Sequence, residues 1–470
     1  MSQAPPVAPL DTLTAALRSA LPVLPVVAVV ALLGLPITPT DEGGANAADA
    51  MSGLAVLWCA VHLLRGRRRP LSPTAALVLG LPVVGVAVAA AGAADPGAGI
   101  TGLARYLQIF VLVPAAVLLL MRDRRDFRLL TWSFVALALW QGAIGVQQYA
   151  TGTGASYQGE DVRAVGTFGP TDVMGMAAVV AFGLVCAVAL ALGTCSARQR
   201  AVAVLCALAL LAPLALSFSR GAWIATGVAC GAQLLLAGLR RAVKVGAAVA
   251  AAGVILVGGL GVGTAMLQER MTSITQVADA PDQSVIDRYT MWAAAIDMWR
   301  EHPLTGVGLK GFPDNRDGHA SLALSSGSDI AGAGAAFHKQ ALLSPHNMYL
   351  LVLGEQGLIG LVALAGSWLA LLVCALRGLV RVRRAGRDPA DPGPPPDRTP
   401  PGTDCALVAC GLLVWQLTDF VYADIGGPST VLTAVVFGLV GWWALMDASA
   451  SVGPGATTPV PSVAEATVAR

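Results

Sequence analysis

"SPHNMYLLVLGEQGLIG", residues Ser344–Gly360, sets a proline, a histidine and an asparagine ahead of an apolar run that continues to about residue 376. About 20 apolar residues are enough for a helix to span a hydrocarbon core. The stretch therefore predicts a membrane helix with a polar head and one buried acid, Glu355. Ser344 reads as the N-cap, Pro345 as the first helical residue and His346 as part of the first turn. The positive end of the helix dipole disfavours imidazolium, so His346 is expected to be neutral and able to accept a proton. The bland alternative is a polar cap without chemistry. Glu355 falls on the opposite helix face, about 13 Å deeper at 1.5 Å per residue. It is expected to be structural, meeting a polar group of another helix, with Gly357 and Gly360 allowing close helix approach.

The same apolar pattern recurs along the chain. Of 470 residues, 56% are hydrophobic and 12% charged, against roughly a quarter charged in globular domains. This predicts an all-α integral membrane protein. Spans are expected near 18–38, 50–64, 72–94, 102–120, 129–148, 171–193, 200–217, 221–238, 245–266, 345–376, 404–422 and 428–446. The first run reads as a retained helix, because the residues before it make a poor signal-peptide n-region. Basic connections at 65–69, 122–128, 198–200, 240–244 and 377–387 all fall on one side of this count. The positive-inside rule then puts both termini in the cytoplasm of a multi-pass protein of the cell membrane.

With a net charge of +2 and no basic block, nothing points to nucleic acid, and the lipid bilayer is the expected partner. Most of the eight cysteines lie in apolar runs without Cys-x-x-Cys spacing, so they read as small buried hydrophobes.

The layout divides into residues 1–266 with nine spans, an extracytoplasmic loop at 267–344, and 345–448 with the last three. A Pro-rich cytoplasmic linker at 386–403 and a disordered cytoplasmic tail at 449–470 complete it. A smaller outer loop runs over about 148–171. Within the large loop, "SVIDRYTMWAAAIDMWREHP" spaces Ile286, Tyr289, Trp292, Ile296 and Trp299 as a helix, from an N-cap at Ser284 to a stop at Pro303. Such a helix can lie on the outer membrane surface or pack against the bundle.

Ionisable residues gather toward the outer face: Arg163, Arg220, Arg288, His346 and Asp419. In "LSFSRGAW" (Leu216–Trp223) two spans meet with almost no loop, and Gly221 is expected to make the turn. Arg220, beside Ser217 and Ser219, is then either a snorkelling anchor or a rigid anion clamp able to hold a phosphate bidentately.

Three segments occur in order: "SFSRGAW", "RYTMW" followed by "EHPLTGVGLKGF", and "HNMYLLVLGEQGLIG". Together with "AVGTFGPTDVMG" (Ala164–Gly175) they resemble the O-antigen ligase and O-antigen polymerase (Wzy-like) superfamily of membrane glycosyltransferases. In the last segment the family often has an asparagine where this chain has Thr171-Asp172. The resemblance implies a GT-C-like architecture and inverting, metal-independent transfer from a polyprenyl-diphosphate-linked glycan donor to a glycan acceptor, outside the cytoplasmic membrane. It implies diphosphate contacts at Arg220 and Arg288, and acceptor activation by His346 as base or orienting group. Arg163, Ser219, Tyr289 and Asn347 are the expected substrate-binding neighbours. No cofactor and no metal ligand set is expected, and the outer segments lack an Asp-x-Asp motif. The competing class is a transporter or flippase for a glycolipid or anionic solute, which predicts repeats and paired midplane charges. A non-catalytic membrane scaffold is the third.

Overall fold

The structure is a computed structural model. It describes residues 21–36, 46–66, 71–157, 163–172, 174–193, 196–240, 243, 283–325, 328–332, 338–340, 342–385 and 402–445. The expected span at 245–266, the start of the large loop, nearly all of the Pro-rich linker and the tail at 449–470 lie outside the described residues.

Every other expected span has a helix in its place. In chain order these are α1 (Leu24–Leu32), α2 (Ala47–Gly66), α3 (Pro73–Ala91), α4 (Pro96–Leu120), α5 (Arg124–Thr151), α6 (Gly175–Gly193), α7 (Ala197–Leu216) and α8 (Arg220–Ala237). The large loop adds α9 (Gln283–Glu301) and α10 (Phe312–His319), and α11 (Met348–Ala385), α12 (Thr403–Asp419) and α13 (Val431–Leu445) complete the bundle. Among the described residues, eight helices are long and apolar enough to cross a membrane. The chain is an all-α, multi-pass integral membrane protein.

Helix ends follow local chemistry. Asp123 caps α5 by accepting from Arg125 and Asp126 amides, and Gly152 ends it at φ 68°. Gly85 of α3 lets that helix touch α11, since a Cβ there would lie 2.6 Å from the Gly360 Cα. At one end of the bundle, Arg128 holds Asp404 at 2.6 Å and Arg124 lies against Gly402, so the basic connection at 122–128 meets the start of α12 there.

The opposite end carries the loops. Ala155–Tyr157 (β1) pairs antiparallel with Ser328–Gly332 (β2), which pairs with His338–Gln340 (β3), so a small sheet joins the two outer loops. The helix α9 packs against the bundle: Asp287, Thr290, Met291, Ala294, Ala295 and Met298 are its buried face. The aromatic face containing Tyr289 and Trp292 is the less buried one, the reverse of what its hydrophobic spacing suggests.

Candidate active site

The polar head of α11 is built differently from the sequence expectation. The helix begins at Met348, and Asn347 is its cap, accepting the Leu350 amide on Oδ1 at 3.0 Å. His346 therefore precedes the helix, in the left-handed region at φ 47°. This costs on the order of 1 kcal/mol and persists only where the surroundings over-determine it. They do so here through the connection between α12 and α13. The Met348 amide donates to the carbonyls of Phe420 (2.8 Å) and Ala423 (3.0 Å), and the Ser344 hydroxyl donates to the Asp424 carboxylate. Ser344 is thus not an N-cap of α11.

Asp424, which sequence reasoning missed, is the partner of the histidine. Its Oδ2 lies 3.7 Å from His346 Nδ1, while its Oδ1 accepts the Gly426 amide. The side chain of Asp424 is 7% exposed and that of His346 46%. The crowding of the imidazole by the protein holds its pKa below the ordinary histidine value. Asp424 opposes this shift and the Arg288 guanidinium adds to it. The direction is the one expected for His346, but its cause is the surrounding protein and not a helix dipole. Nothing in "VYADIGGPS" (Val421–Ser429) marked Asp424 in the sequence, because only the return of that loop to Ser344 makes it a partner.

Arg288 comes from α9, one turn before Trp292, whose indole nitrogen donates to the Pro345 carbonyl at 2.9 Å. That bond moors α9 beside the histidine turn. Tyr289 is exposed and makes an edge contact with Trp292, ring centroids 5.6 Å apart.

Arg220 opens α8, where Ser219 is the N-cap and accepts the Ala222 amide on Oγ at 3.3 Å. The turn before it is made by Phe218 at φ 50°, not by Gly221. The glycine serves a close approach, since a Cβ there would stand 3.2 Å from the Tyr422 Cβ. The start of α8 therefore abuts the same α12–α13 connection. Arg163 sits in a backbone bridge with Ala155, and the adjacent Ala164 amide donates to the Leu216 carbonyl beside the serine-rich junction.

Asp172 closes the ring of contacts. It accepts the Ser429 amide at 3.1 Å, and burial raises its carboxyl above the usual range against those hydrogen bonds. Asp172, Asp419 and Asp424 line a recess of about 70 Å³. Ligand pockets run roughly 300–1,000 Å³, so this recess is too small to enclose a ligand of ordinary size.

Glu355 keeps a structural place with a different partner from the expected one. Its carboxylate accepts the Phe312 amide at 3.2 Å, so it holds the large loop at the start of α10 and not another membrane span. Two residues on, α11 breaks at Gly357, φ 62°. The loop segment Pro303–Phe312 threads the break. Pro303 and Leu304 carbonyls accept the Leu358 and Ile359 amides, while Val307 and Gly308 amides donate to Gly354 and Glu355 carbonyls. The glycines of "TGVGLKG" fit this crossing: a Cβ on Gly306 would sit 2.6 Å from the Gln356 nitrogen. Gly357 is hence a passage for the loop rather than a helix–helix contact.

The structure thus brings His346 and Arg288 together with Asp424, sets the start of α8 against the same loop, and leaves Asn347 and Ser219 as helix caps. No curated protein matches the chain. Residues 201–365, which include Arg220, Arg288, His346 and the loop that threads α11, match the family model described as O-antigen ligase, and this part of the chain is a domain of the O-antigen ligase/polymerase family.

Proposed function

We propose that the protein transfers a glycan from a polyprenyl-diphosphate donor to a sugar hydroxyl of an acceptor glycan, with inversion and without a metal, on the outer face of the cytoplasmic membrane. The observation that carries this reading is His346, backed by Asp424 at 3.7 Å, with Arg288 beside it at the loop end of a membrane bundle. At this distance the Asp424 carboxylate acts through its charge, favouring the imidazolium that forms when the ring takes up a proton.

The acceptor oxygen attacks the anomeric carbon and its proton passes to His346 Nε2. The new glycosidic C–O bond forms as the bond from the anomeric carbon to the diphosphate breaks, and a single displacement inverts the centre. Polyprenyl diphosphate leaves with the electron pair. Its growing charge is held by Arg288 and Arg220, which have the planar fork for phosphate oxygens. Asp424 stabilises the imidazolium, as a buried carboxylate does for a histidine base. Arg163 and Tyr289 flank the glycan, while Ser219 and Asn347 act through the helix starts they cap. The α9 helix of the large loop stands beside the site, and the polyprenyl chain stays in lipid.

The test is radiolabelled glycan transfer by purified full-length protein in detergent, where no ion gradient exists. Transfer that depends on His346 supports the reading. Absence of transfer in detergent, with gradient-driven glycolipid movement in vesicles, replaces it with transport.

A further inference from the structure

The N-terminal helices, outside the matched span, reach the loop that carries Asp424. This loop, 420–430, joins α12 to α13 and is held from outside at three consecutive positions. The Gly427 carbonyl accepts from Arg105 Nη2 at 3.3 Å, the Pro428 carbonyl accepts from Asn46 Nδ2 at 3.1 Å, and the Ser429 amide donates to Asp172. Arg105 is itself fixed. Its Nη1 meets Asp49 at 2.5 Å and Gln108 Oε1 at 3.0 Å, and Gln108 donates to both Asp49 and Ser52. Asp49 and Asn46 complete the cluster by capping α2 reciprocally. The arginine and aspartate side chains are 22% and 9% exposed, so the pair is mostly withdrawn from solvent.

The guanidinium uses both ends of its fork, one on Asp49 and one on the loop. Lysine has a single point of contact and cannot span the two. A pair serving only to join α2 to α4 would not need the second end. From Gly427 the path to the site is short, because the neighbouring Gly426 amide holds Asp424 Oδ1 at 2.8 Å. Gly427 also packs too closely on Asp172 to move inward, a Cβ there lying 2.6 Å from its Oδ2.

We infer that Arg105, aligned by Asp49, is a positioning residue that sets Asp424 against His346 through the Gly427 carbonyl. The catalytic consequence rests on the function proposed above, but the placement of Asp424 can be read without turnover. The charged groups facing His346 are Asp424 from the loop and Arg288 from α9, and only Asp424 favours the imidazolium. Loosening the loop therefore lowers the pH at which His346 protonates.

The test is ¹⁵N-histidine NMR titration of the full chain in phosphatidylglycerol/phosphatidylethanolamine nanodiscs, with His346 assigned among the five histidines by its loss in His346→Gln. Arg105→Lys and Arg105→Ala should lower the His346 midpoint, alanine more than lysine, and Asp49→Asn should move it the same way. Amide exchange across 423–430 should rise roughly tenfold, as for loss of one charge-assisted hydrogen bond. An unchanged midpoint in Arg105→Lys overturns the inference, and so does a loss of folded protein whose remaining fraction titrates as wild type. Asp424→Asn separates the two levels. If it leaves the midpoint in place, the His346–Asp424 contact of the proposed function fails; if it lowers the midpoint while Arg105 variants do not, only the positioning role fails.

Discussion

The two sides of the Gly357 break in α11 are one apolar run in sequence and two different objects in the structure. Before the break, Met348–Gln356 gives its first amide to Phe420 and Ala423, its carbonyls at Gly354 and Glu355 to the large loop, and the Glu355 carboxylate to Phe312. After the break, the Leu358 and Ile359 amides still hold the loop, and from there the helix runs on with exposed Val362, Leu369 and Val373, the surface of a segment that meets lipid. The first part is a frame for loops and the second is a membrane anchor. Apolarity is common to both. What differs is the backbone, which at depth tolerates irregular structure only where protein satisfies the freed groups. The loop Pro303–Phe312 does this, and so brings α9 and Arg288 to the histidine turn.

This comparison can be broken most directly at the head of the framing part. His346→Ala should lower the turnover number by roughly a hundred- to ten-thousandfold, the usual share of general acid–base catalysis, with donor binding little altered. The wild-type rate should fall as pH drops through the His346 pKa. Since crowding and Arg288 keep that pKa below the ordinary value, the fall should begin on the acid side of ordinary histidine. The acid limb should disappear in His346→Gln. A His346→Gln enzyme with wild-type rate and unchanged pH profile would make the histidine an orienting group.

Next in size is the diphosphate clamp. Arg288→Ala and Arg220→Ala should each cost about a hundredfold or more in transfer rate, with lysine restoring only part. Saturation curves for donor and acceptor will show whether the loss is confined to the donor side, as the clamp requires.

The break itself comes third. Gly357→Ala places a side chain at φ 62° with its Cβ 2.6 Å from the Thr305 nitrogen. The backbone conformation alone costs roughly 1–3 kcal/mol, so thermal unfolding in detergent should show a clear destabilisation. The equivalent change at Gly366, past the break, has only Leu81 Cδ2 at 3.6 Å and should be tolerated. Equal effects at the two glycines would remove the distinction between frame and anchor.

The smallest effect belongs to the basic end. Asp404→Asn keeps the shape of a buried side chain, 1% exposed, and exchanges a charge-assisted contact with the 43% exposed Arg128 for a neutral one, which should cost about 1 kcal/mol of stability. The rate per folded molecule should stay at the wild-type value. A large rate change there would mean that the two ends of the bundle are coupled.

Much of the architecture is local and so was legible in order of residues. Apolar length fixed where helices run, since a span must satisfy its own backbone in lipid. The grouping of basic connections placed Arg124, Arg128 and Gly402 at one end before any contact was known. Arg220 and His346 stand out as polar residues at the edge of an apolar run, Arg288 stands out only through its motif in the large loop, and motif order pointed to the family.

What the sequence could not contain is which return loop meets which helix start. Asp424 and Arg105 are far from His346 along the chain, in segments with no distinctive pattern, and only packing makes them neighbours. The same holds for the start of α11: proline and serine spacing favoured a helix through His346, but Phe420 and Ala423 carbonyls capture the Met348 amide and leave the histidine outside it. Local propensity is worth tenths of a kilocalorie to about one per residue. A set of tertiary hydrogen bonds that closes the site exceeds that, and it decided where the imidazole stands.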